Sequence, residues 1–275
     1  MNGTLAQQLS LVSYGNHFLK TGSLPADYYP ANVAFNFCNQ VDFRYLATEP
    51  DAAQPTETVV AADPPAWLHL LRQQGCQQLR LAYYPSGGNQ LSPPDYKLAG
   101  FVGGGGTWLL AALAGPHADY WASRWEVTRP KDPDQLIWAV SYGRMASGPR
   151  PSTELPALGP ARQKLAEALT AIQAFAEEQQ LNHWAAVFQK ALATLASPEP
   201  AVGLYQQLLV AAEHPLPAQQ LIFAAGQAFV FGGMGSWNDL GFADEPTNQR
   251  YEELSGQLYT QVNHAVVAGI NAAAS

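Results

Sequence analysis

The sequence predicts an α+β fold, in which an antiparallel, meandering sheet with one or two helices precedes an all-helical C-terminal half. Before residue 150, apolar residues alternate with polar ones in several segments, as in half-buried strands. After residue 160 they recur at the three-and-four spacing of amphipathic helices. Four prolines within residues 147–160 separate the two patterns. We therefore expect a sheet region at 1–148, a proline-rich connector at 149–160 and a helical region at 161–275, and leave open whether the two regions share one core.

Six segments of the first half follow from these patterns. A helix is indicated where Leu5, Leu9 and Val12 recur at helical spacing, and strands where apolar residues occupy every second position. Runs rich in Pro, Asp and Thr indicate loops, because these residues interrupt regular structure. In chain order we expect a helix over the first 20 residues, β-structure over 33–37 and 41–45, an exposed loop over 49–65, a short helix over 65–72 and a strand over 79–83.

Two hairpins complete the predicted sheet. Residues 98–102 and 107–113 flank the four consecutive glycines 103–106, which indicates strands joined by a flexible tip. Residues 120–128 and 135–142 alternate in the same way around a turn rich in Pro and Asp. Because short turns join consecutive strands antiparallel, these hairpins predict an antiparallel sheet.

The second half is expected to contain five helices. Their apolar residues recur every three or four positions, and glycine or proline interrupts the chain between several of them. The predicted helices are centred on residues 165–175, 184–195, 205–212, 221–229 and 251–270.

Composition and charge restrict the class of partner. Hydrophobic residues make up 47% of the chain and charged residues 13%, which indicates a folded rather than a disordered protein. The net charge of −8 divides into −1 for residues 1–150 and −7 for residues 151–275. An acidic helical half argues against nucleic acid and is compatible with a basic protein partner. The same acids also serve solubility alone, which is the simpler interpretation.

The cysteines and the N-terminal segment bear on location. Cys38 and Cys76 are the only cysteines and follow no metal-binding or disulfide-rich spacing, which fits a reducing compartment. The first residues show neither the cationic nor the continuous apolar region of a signal peptide, and no apolar run is long enough to span a membrane. We therefore expect a cytoplasmic protein without membrane contact.

The glycine-rich segment 229–242 contains the candidate binding residues Ser236, Trp237, Asn238 and Asp239. A large aromatic and short polar side chains beside such a turn either line a pocket or brace one. We expect Gly232 or Gly233 to end the preceding helix in the left-handed conformation. Trp237 is then expected to pack on apolar neighbours, and Asn238 and Asp239 to accept hydrogen bonds from backbone N–H groups of the turn.

No complete catalytic, metal or cofactor motif is found, and no catalytic residue is assigned. The glycines 103–106 lack the Gly-Lys-Ser/Thr sequence and the helix that a phosphate-binding loop requires. The six histidines are isolated in sequence, so no metal site is predicted. Ser236 begins a pattern resembling a nucleophile elbow, but Asn238 and Asp239 depart from it.

These observations favour a non-catalytic cytoplasmic protein that binds another protein, for example as an immunity-type neutralising partner of a basic protein. The alternative is a small-molecule enzyme, such as a hydrolase, with its pocket near residues 232–242. A deep polar pocket that holds Asp239 and a histidine would indicate the enzyme. A flat acidic surface would indicate the binding protein.

Overall fold

A computed structural model of the chain describes residues 2–47, 56–87, 93–101, 103–150, 155–201 and 206–272. A six-stranded sheet and seven α-helices form the fold of these residues. The strands are β1 (Cys38–Ala47), β2 (Thr56–Ala61), β3 (Gln78–Tyr84), β4 (Thr107–Ala114), β5 (His117–Val127) and β6 (Trp138–Pro149). The helices are α1 (Gly3–Thr21), α2 (Pro64–Gln73), α3 (Asp95–Leu98), α4 (Leu158–Glu178), α5 (Asn182–Leu195), α6 (Leu216–Gln227) and α7 (Glu245–Ala272).

The sheet is mixed, with the strand order β2-β1-β6-β5-β4-β3. Strands β3 to β6 form the expected antiparallel meander, and β1 pairs with β2 antiparallel. Strand β1 also pairs with β6 in parallel, so the prediction of a purely antiparallel sheet was wrong at this position. Alternation shows which side chains share a face, but it does not show which strand lies alongside, and here a distant strand becomes the neighbour.

Two predictions about the first half need correction. Val33–Phe35 is a 3-10 helix rather than a strand, because the Asn32 side chain accepts a hydrogen bond from the Ala34 N–H and caps it. Part of the predicted loop 49–65 is the edge strand β2. Most of its side chains are at least partly exposed, so its sequence lacks the apolar alternation of a half-buried strand. Residues 49–55 of that loop lie outside the described residues.

The predicted hairpin around glycines 103–106 is also wrong. The segment before the glycines contains the short helix α3 instead of a strand, and residue 102 lies outside the described residues. The glycines lead from α3 into β4, which pairs with β3 and β5. The apolar residues of 98–101 lie at the end of α3 and in the turn that follows it.

Among the described residues of the second half there are four α-helices where five were expected. Residues 206–210 are not α-helical, Ala211–Glu213 is a 3-10 helix, and 202–205 lie outside the described residues. Tertiary hydrogen bonds take the backbone groups that a helix would use. Tyr14 Oη and Asn32 Nδ2 both donate to the Gln207 carbonyl, at 3.0 Å and 2.6 Å, and the Val210 N–H donates to Ser13 Oγ.

Most buried hydrophobic residues of the sheet and of the C-terminal helices belong to one cluster, and Ala111, Leu113 and Ala118 form a second, small one on β4 and β5. Phe43 stacks on Trp67 of α2 beneath the sheet, with ring centroids 4.3 Å apart. The predicted connector is shorter than expected, because β6 extends to Pro149 and α4 begins at Leu158; residues 151–154 lie outside the described residues.

Candidate functional site

A cavity of about 450 Å³ lies at one end of the sheet, between the start of α1, the glycines before β4 and helix α7. We call it the aromatic pocket, because six aromatic residues line it: Phe101, Trp108, Trp125, Trp138, Phe229 and Tyr259. Trp125 and Trp138 meet edge to face, with ring centroids 5.9 Å apart. These six residues lie on β4, β5, β6, α7 and two loops, so only the tertiary fold brings them together.

The glycine segment forms one wall of the aromatic pocket. Gly105 and Gly106 have φ values of +82° and +89°, which favour glycine. A β-carbon on Gly106 would collide with the Tyr83 ring, and one on Gly105 with the Tyr259 hydroxyl. That hydroxyl donates to the Gly105 carbonyl, and Tyr83 Oη donates to the same oxygen at 3.3 Å. The glycines are therefore held against β3 and α7 instead of forming a free tip.

Gln8 is the polar side chain that distinguishes this pocket. It lies on α1, is 0% exposed and lines the pocket, yet neither its Nε2 nor its Oε1 has a hydrogen-bond partner among the described residues. The neighbouring Gln7 is equally buried, but its Oε1 accepts from Tyr142 Oη at 2.8 Å. Buried polar groups are nearly always paired. The Nε1 of Trp125, which also lines the pocket, is likewise buried without a partner among the described residues.

The electrostatics of the pocket are simple. Among its described lining residues, Arg124 is the only one with a charged side chain. Its guanidinium binds Glu57, with Nη1–Oε1 and Nη2–Oε2 distances of 2.6 Å and 3.0 Å. Hydrogen bonds from Arg124 and then from Arg44 lower the pKa of the Glu57 carboxyl to about 2. Burial raises the pKa of Tyr259, so its hydroxyl stays neutral. These walls contain no pair of groups suited to acid–base catalysis.

The N-terminus of α1 completes the wall. Gly3 and Thr4 line the pocket, and the first N–H groups of a helix have no partner within the helix. The side chain of Asn2, the N-cap, accepts from the Leu5 N–H at 2.9 Å. The helix dipole makes this end weakly positive. The pocket therefore favours neutral or anionic molecules over cations.

The four predicted binding residues lie together in one turn, but none of them lines the aromatic pocket. Trp237 is fully buried, as expected, and its Nε1 donates to Ser255 Oγ at 2.7 Å. Ser236 Oγ accepts from the Asn238 N–H at 3.3 Å. The Asp239 carboxylate is exposed and accepts from the Gly235 N–H, as expected of a turn residue. Asn238 does not accept from the turn: its Oδ1 has no partner among the described residues, and its Nδ2 donates to the Tyr96 carbonyl at 2.8 Å.

The predicted helix end also needs correction. Helix α6 ends at Gln227, and the left-handed glycine is Gly235 (φ +81°), not Gly232 or Gly233. The chain leaves the helix early because Phe231 is buried against Tyr259 of α7, with ring centroids 5.0 Å apart. Residues 229–242 thus pack against the outside of the pocket wall, since both Tyr259 and the loop after α3 belong to that wall.

A buried pair of Ser13 and His214 has the atoms of a nucleophile and its base, with Oγ and Nε2 2.8 Å apart. Both residues are less than 5% exposed, and neither lines the pocket. Ser13 Oγ also accepts from the Val210 N–H at 3.0 Å, and His214 Nδ1 has no partner among the described residues. Burial lowers the pKa of His214 to about 4. The pair therefore joins α1 to the chain before α6 and gives no substrate access.

A second cleft, of about 360 Å³, is lined by Cys76, His117 and Asp119 near the end of α2. Burial raises the pKa of the Cys76 thiol to about 11, so the thiol stays protonated and is a poor nucleophile. Asp119 pairs with Arg144 at 3.2 Å. The described residues bring no three His, Cys, Asp or Glu side chains together as a metal site.

Comparison of the chain with protein-family models, with curated proteins and with solved structures finds no match in any of the three. None of the described helices combines the length and the apolarity that crossing a membrane requires. The function therefore has to be argued from the geometry of the aromatic pocket.

Sequence reasoning missed Gln8, although a signal was present. Gln8 follows Leu5 by three residues and precedes Val12 by four, so it lies on the apolar face that predicts the helix. A glutamine on such a face is buried, and a buried amide needs a partner. The glycines 103–106 stand out in the sequence, but no local pattern connects them with α1 or α7.

Proposed function

We propose that the protein binds a small, ring-containing molecule in the aromatic pocket and holds it without chemical change. The observation that carries the proposal is the cavity itself, which six aromatic side chains line.

Size and surface support the same function. The pocket volume of about 450 Å³ lies within the usual range of small-molecule sites. Aromatic side chains such as Trp108, Trp125 and Trp138 offer flat faces and edges to a planar ring. The lining has no carboxylate or imidazole among the described residues, which favours binding over catalysis. The pocket therefore fits a neutral or anionic ring compound.

The test is equilibrium binding of 2-quinolone, a neutral two-ring compound, followed by quenching of tryptophan fluorescence and by calorimetry. We expect one saturable site. Thr4→Phe places a ring in the pocket from α1 and should abolish binding, and Ser123→Phe on β5 should do the same. Thr170→Phe, on the exposed face of α4, is the matched control and should bind normally. No saturable binding, or binding that both blocking variants leave intact, would overturn the proposal.

A protein partner remains the second candidate, supported by the net charge of −7 on residues 151–275. Two of the acidic residues that would attract a basic partner are paired within the chain, Glu178 with Arg250 and Glu252 with Lys97, both at 2.6 Å. Glu177 and Glu253 accept hydrogen bonds only from uncharged glutamines in the described structure. A cytoplasmic location belongs to this proposal and is supported by the two free cysteines.

Association kinetics test the second candidate, with a basic partner recovered from the native host. Replacing these four glutamates by glutamine should slow association, and added salt should slow it for the unmodified chain, because exposed charges are screened over about 8–10 Å. An on-rate that responds to neither change would remove electrostatic attraction from the proposal.

A further inference from the structure

We infer that the chain forms a two-fold symmetric dimer, in which the edge strand β2 pairs antiparallel with β2 of a second copy. The two six-stranded sheets then continue into each other across this contact. The inference goes beyond the proposed small-molecule binding and does not depend on it.

Strand β2 has one side that no other strand occupies. It pairs with β1 and stands first in the strand order of the sheet. The N–H and C=O groups on the outer side of an edge strand can pair with a strand from another chain. In the described part of the chain, no hydrogen bond joins the backbone of Thr56–Ala61 to any segment other than β1. Thr56, Thr58 and Val59 are exposed, so a partner strand can reach this edge.

The opposite edge of the sheet, at β3, is closed by side-chain amides. Asn16 of α1 donates to the Leu79 carbonyl at 2.9 Å and accepts from the Leu79 N–H at 2.7 Å. Asn271 of α7 binds the N–H and the carbonyl of Leu81 at 3.0 Å and 2.8 Å. Because both backbone groups of one residue in an antiparallel strand face the same side, these amides occupy the outer side of β3. Among the described strands only β2 therefore offers an open edge, and pairing of two copies gives a closed dimer instead of a fibre.

The side chains of β2 do not protect its open edge. The strand reads Thr-Glu-Thr-Val-Val-Ala, with four β-branched residues and neither the lysine nor the proline that often protects an edge strand. Its one charged residue, Glu57, is bound by Arg44 at 2.7 Å and by Arg124 at 2.6 Å. Val59 leaves 52% of its surface exposed. The edge therefore combines a good strand sequence with a carboxylate that is already neutralised.

The strand is compatible with its own copy. Opposite residues of an antiparallel pair share a face, so the two-fold axis passes through a residue near the middle of β2, Thr58 or Val59. A pairing centred on Thr58 places Glu57 opposite Val59 of the second copy. A pairing centred on Val59 places Glu57 opposite Ala61 of the second copy. Neither arrangement brings like charges face to face, which would destabilise the pairing.

Charge also favours a second copy at this edge. Residues 1–150 have a net charge of −1, and residues 151–275 have a net charge of −7. Strand β2 packs mainly on β1 and α2, which belong to the nearly neutral half. Two copies that meet at β2 therefore avoid the repulsion that contact through the acidic helices would cause. The second copy also supplies the open strand that the pairing requires.

The first experiment measures the mass of the particle by sedimentation velocity between about 5 µM and about 1 mM protein. A single pair of short strands is a small interface, so we expect a weak dimer with a dissociation constant on the order of 10–100 µM. Thr58→Lys/Val59→Lys places a lysine on each face of β2, so lysines oppose each other in either register. This variant should weaken the dimer about tenfold or more.

The matched control is Val127→Lys/Thr128→Lys. It changes the same two residue types, adds the same charge and lies at exposed positions at the end of β5. It should dimerise as the unmodified chain does. Thermal melts verify that both variants fold.

Hydrogen–deuterium exchange of the unmodified chain at the lowest and the highest concentration locates the contact. Amides of residues 56–61 should exchange more slowly at the high concentration, because the outer N–H groups of β2 become hydrogen-bonded in the dimer. Amides of residues 78–84 should not change, since Asn16 and Asn271 already occupy the outer side of β3.

Four results would overturn the inference. The first is a chain that stays monomeric up to about 1 mM. The second is a dimer that Thr58→Lys/Val59→Lys leaves intact, because it would use another surface. The third is equal loss of the dimer in the control variant, which would show a dependence on total charge rather than on the β2 edge. The fourth is slower exchange in residues 78–84 without slower exchange in residues 56–61.

Discussion

Replacing Gln8 by leucine should stabilise the protein in the absence of ligand, whereas the same replacement of its neighbour Gln7 should destabilise it. Both glutamines lie on α1 and are 0% exposed, so the two variants share helix, burial and side-chain change. Leucine and glutamine have similar volumes and similar helix propensities. The comparison therefore isolates the hydrogen bonds of each amide.

The expected magnitudes follow from the partners. Gln8→Leu removes an amide without partners among the described residues, and its removal should raise the free energy of unfolding by about 1–3 kcal/mol. Gln7→Leu removes the acceptor of the Tyr142 hydroxyl, which is fully buried, and should lower the free energy of unfolding by about 1–3 kcal/mol. The two variants should thus differ by about 2–6 kcal/mol with opposite signs.

The assay is equilibrium unfolding in urea at pH 7, with the slope of the transition checked against that of the unmodified chain. If Gln8→Leu is destabilised as strongly as Gln7→Leu, the Gln8 amide has a stabilising partner in the ligand-free protein, and the reasoning is refuted. In saturating 2-quinolone both proteins should gain stability, because a ligand that binds only the folded state stabilises it.

Three further predictions concern regions outside the pocket. Burial lowers the pKa of His214 to about 4, below its ordinary 6.5, so its contribution to stability is present above pH 6.5 and is lost as the pH falls towards 4. The free energy of unfolding of the unmodified chain should therefore fall by about 2 kcal/mol between pH 7 and pH 5, as measured by urea unfolding at both pH values. His214→Gln should not show this loss. Trp237→Ala should lower the free energy of unfolding by about 3–5 kcal/mol, because the buried ring packs on Phe188 and Tyr251. Asp239→Asn should have almost the same melting temperature as the unmodified chain. A stable Trp237→Ala protein would contradict the bracing role of Trp237. Brief digestion with a glutamate-specific protease should cut first after Glu154 in the predicted connector, and first cuts confined to other segments would refute an accessible connector.

Much of the fold was predictable from local patterns. Helix α1 follows the spacing of Leu5, Leu9 and Val12, and the 3-and-4 spacing of residues 251–270 identifies most of α7. The alternation of β3 and β6 likewise identifies buried side chains of these strands, namely Leu79, Leu81, Val140 and Tyr142. These predictions succeed because a helix or strand that packs on a core must place its apolar side chains with the period of its own backbone.

The failures share one physical cause, which is that distant groups decide the local structure. Residues 205–212 have helical spacing, but Tyr14, Asn32 and Ser13 of the first half bind their backbone. Strand β2 has a loop-like composition, and pairing with β1 makes it a strand. The candidate turn was found, but its role as a brace depends on Tyr96, which is far from it in the chain.

The sequence by itself determined the α+β class, the apolar faces of the long helices and the antiparallel pairing of β5 with β6, because periodicity is a local property. The tertiary structure alone decided the parallel pairing of β1 with β6 and the composition of the aromatic pocket. Gly105 and Tyr259, joined by a hydrogen bond, are 154 residues apart, and Gln8 reaches the same cavity from the first helix. Such contacts depend on which elements pack together, and that choice is set by the total burial and hydrogen bonding of the whole chain rather than by any segment within it.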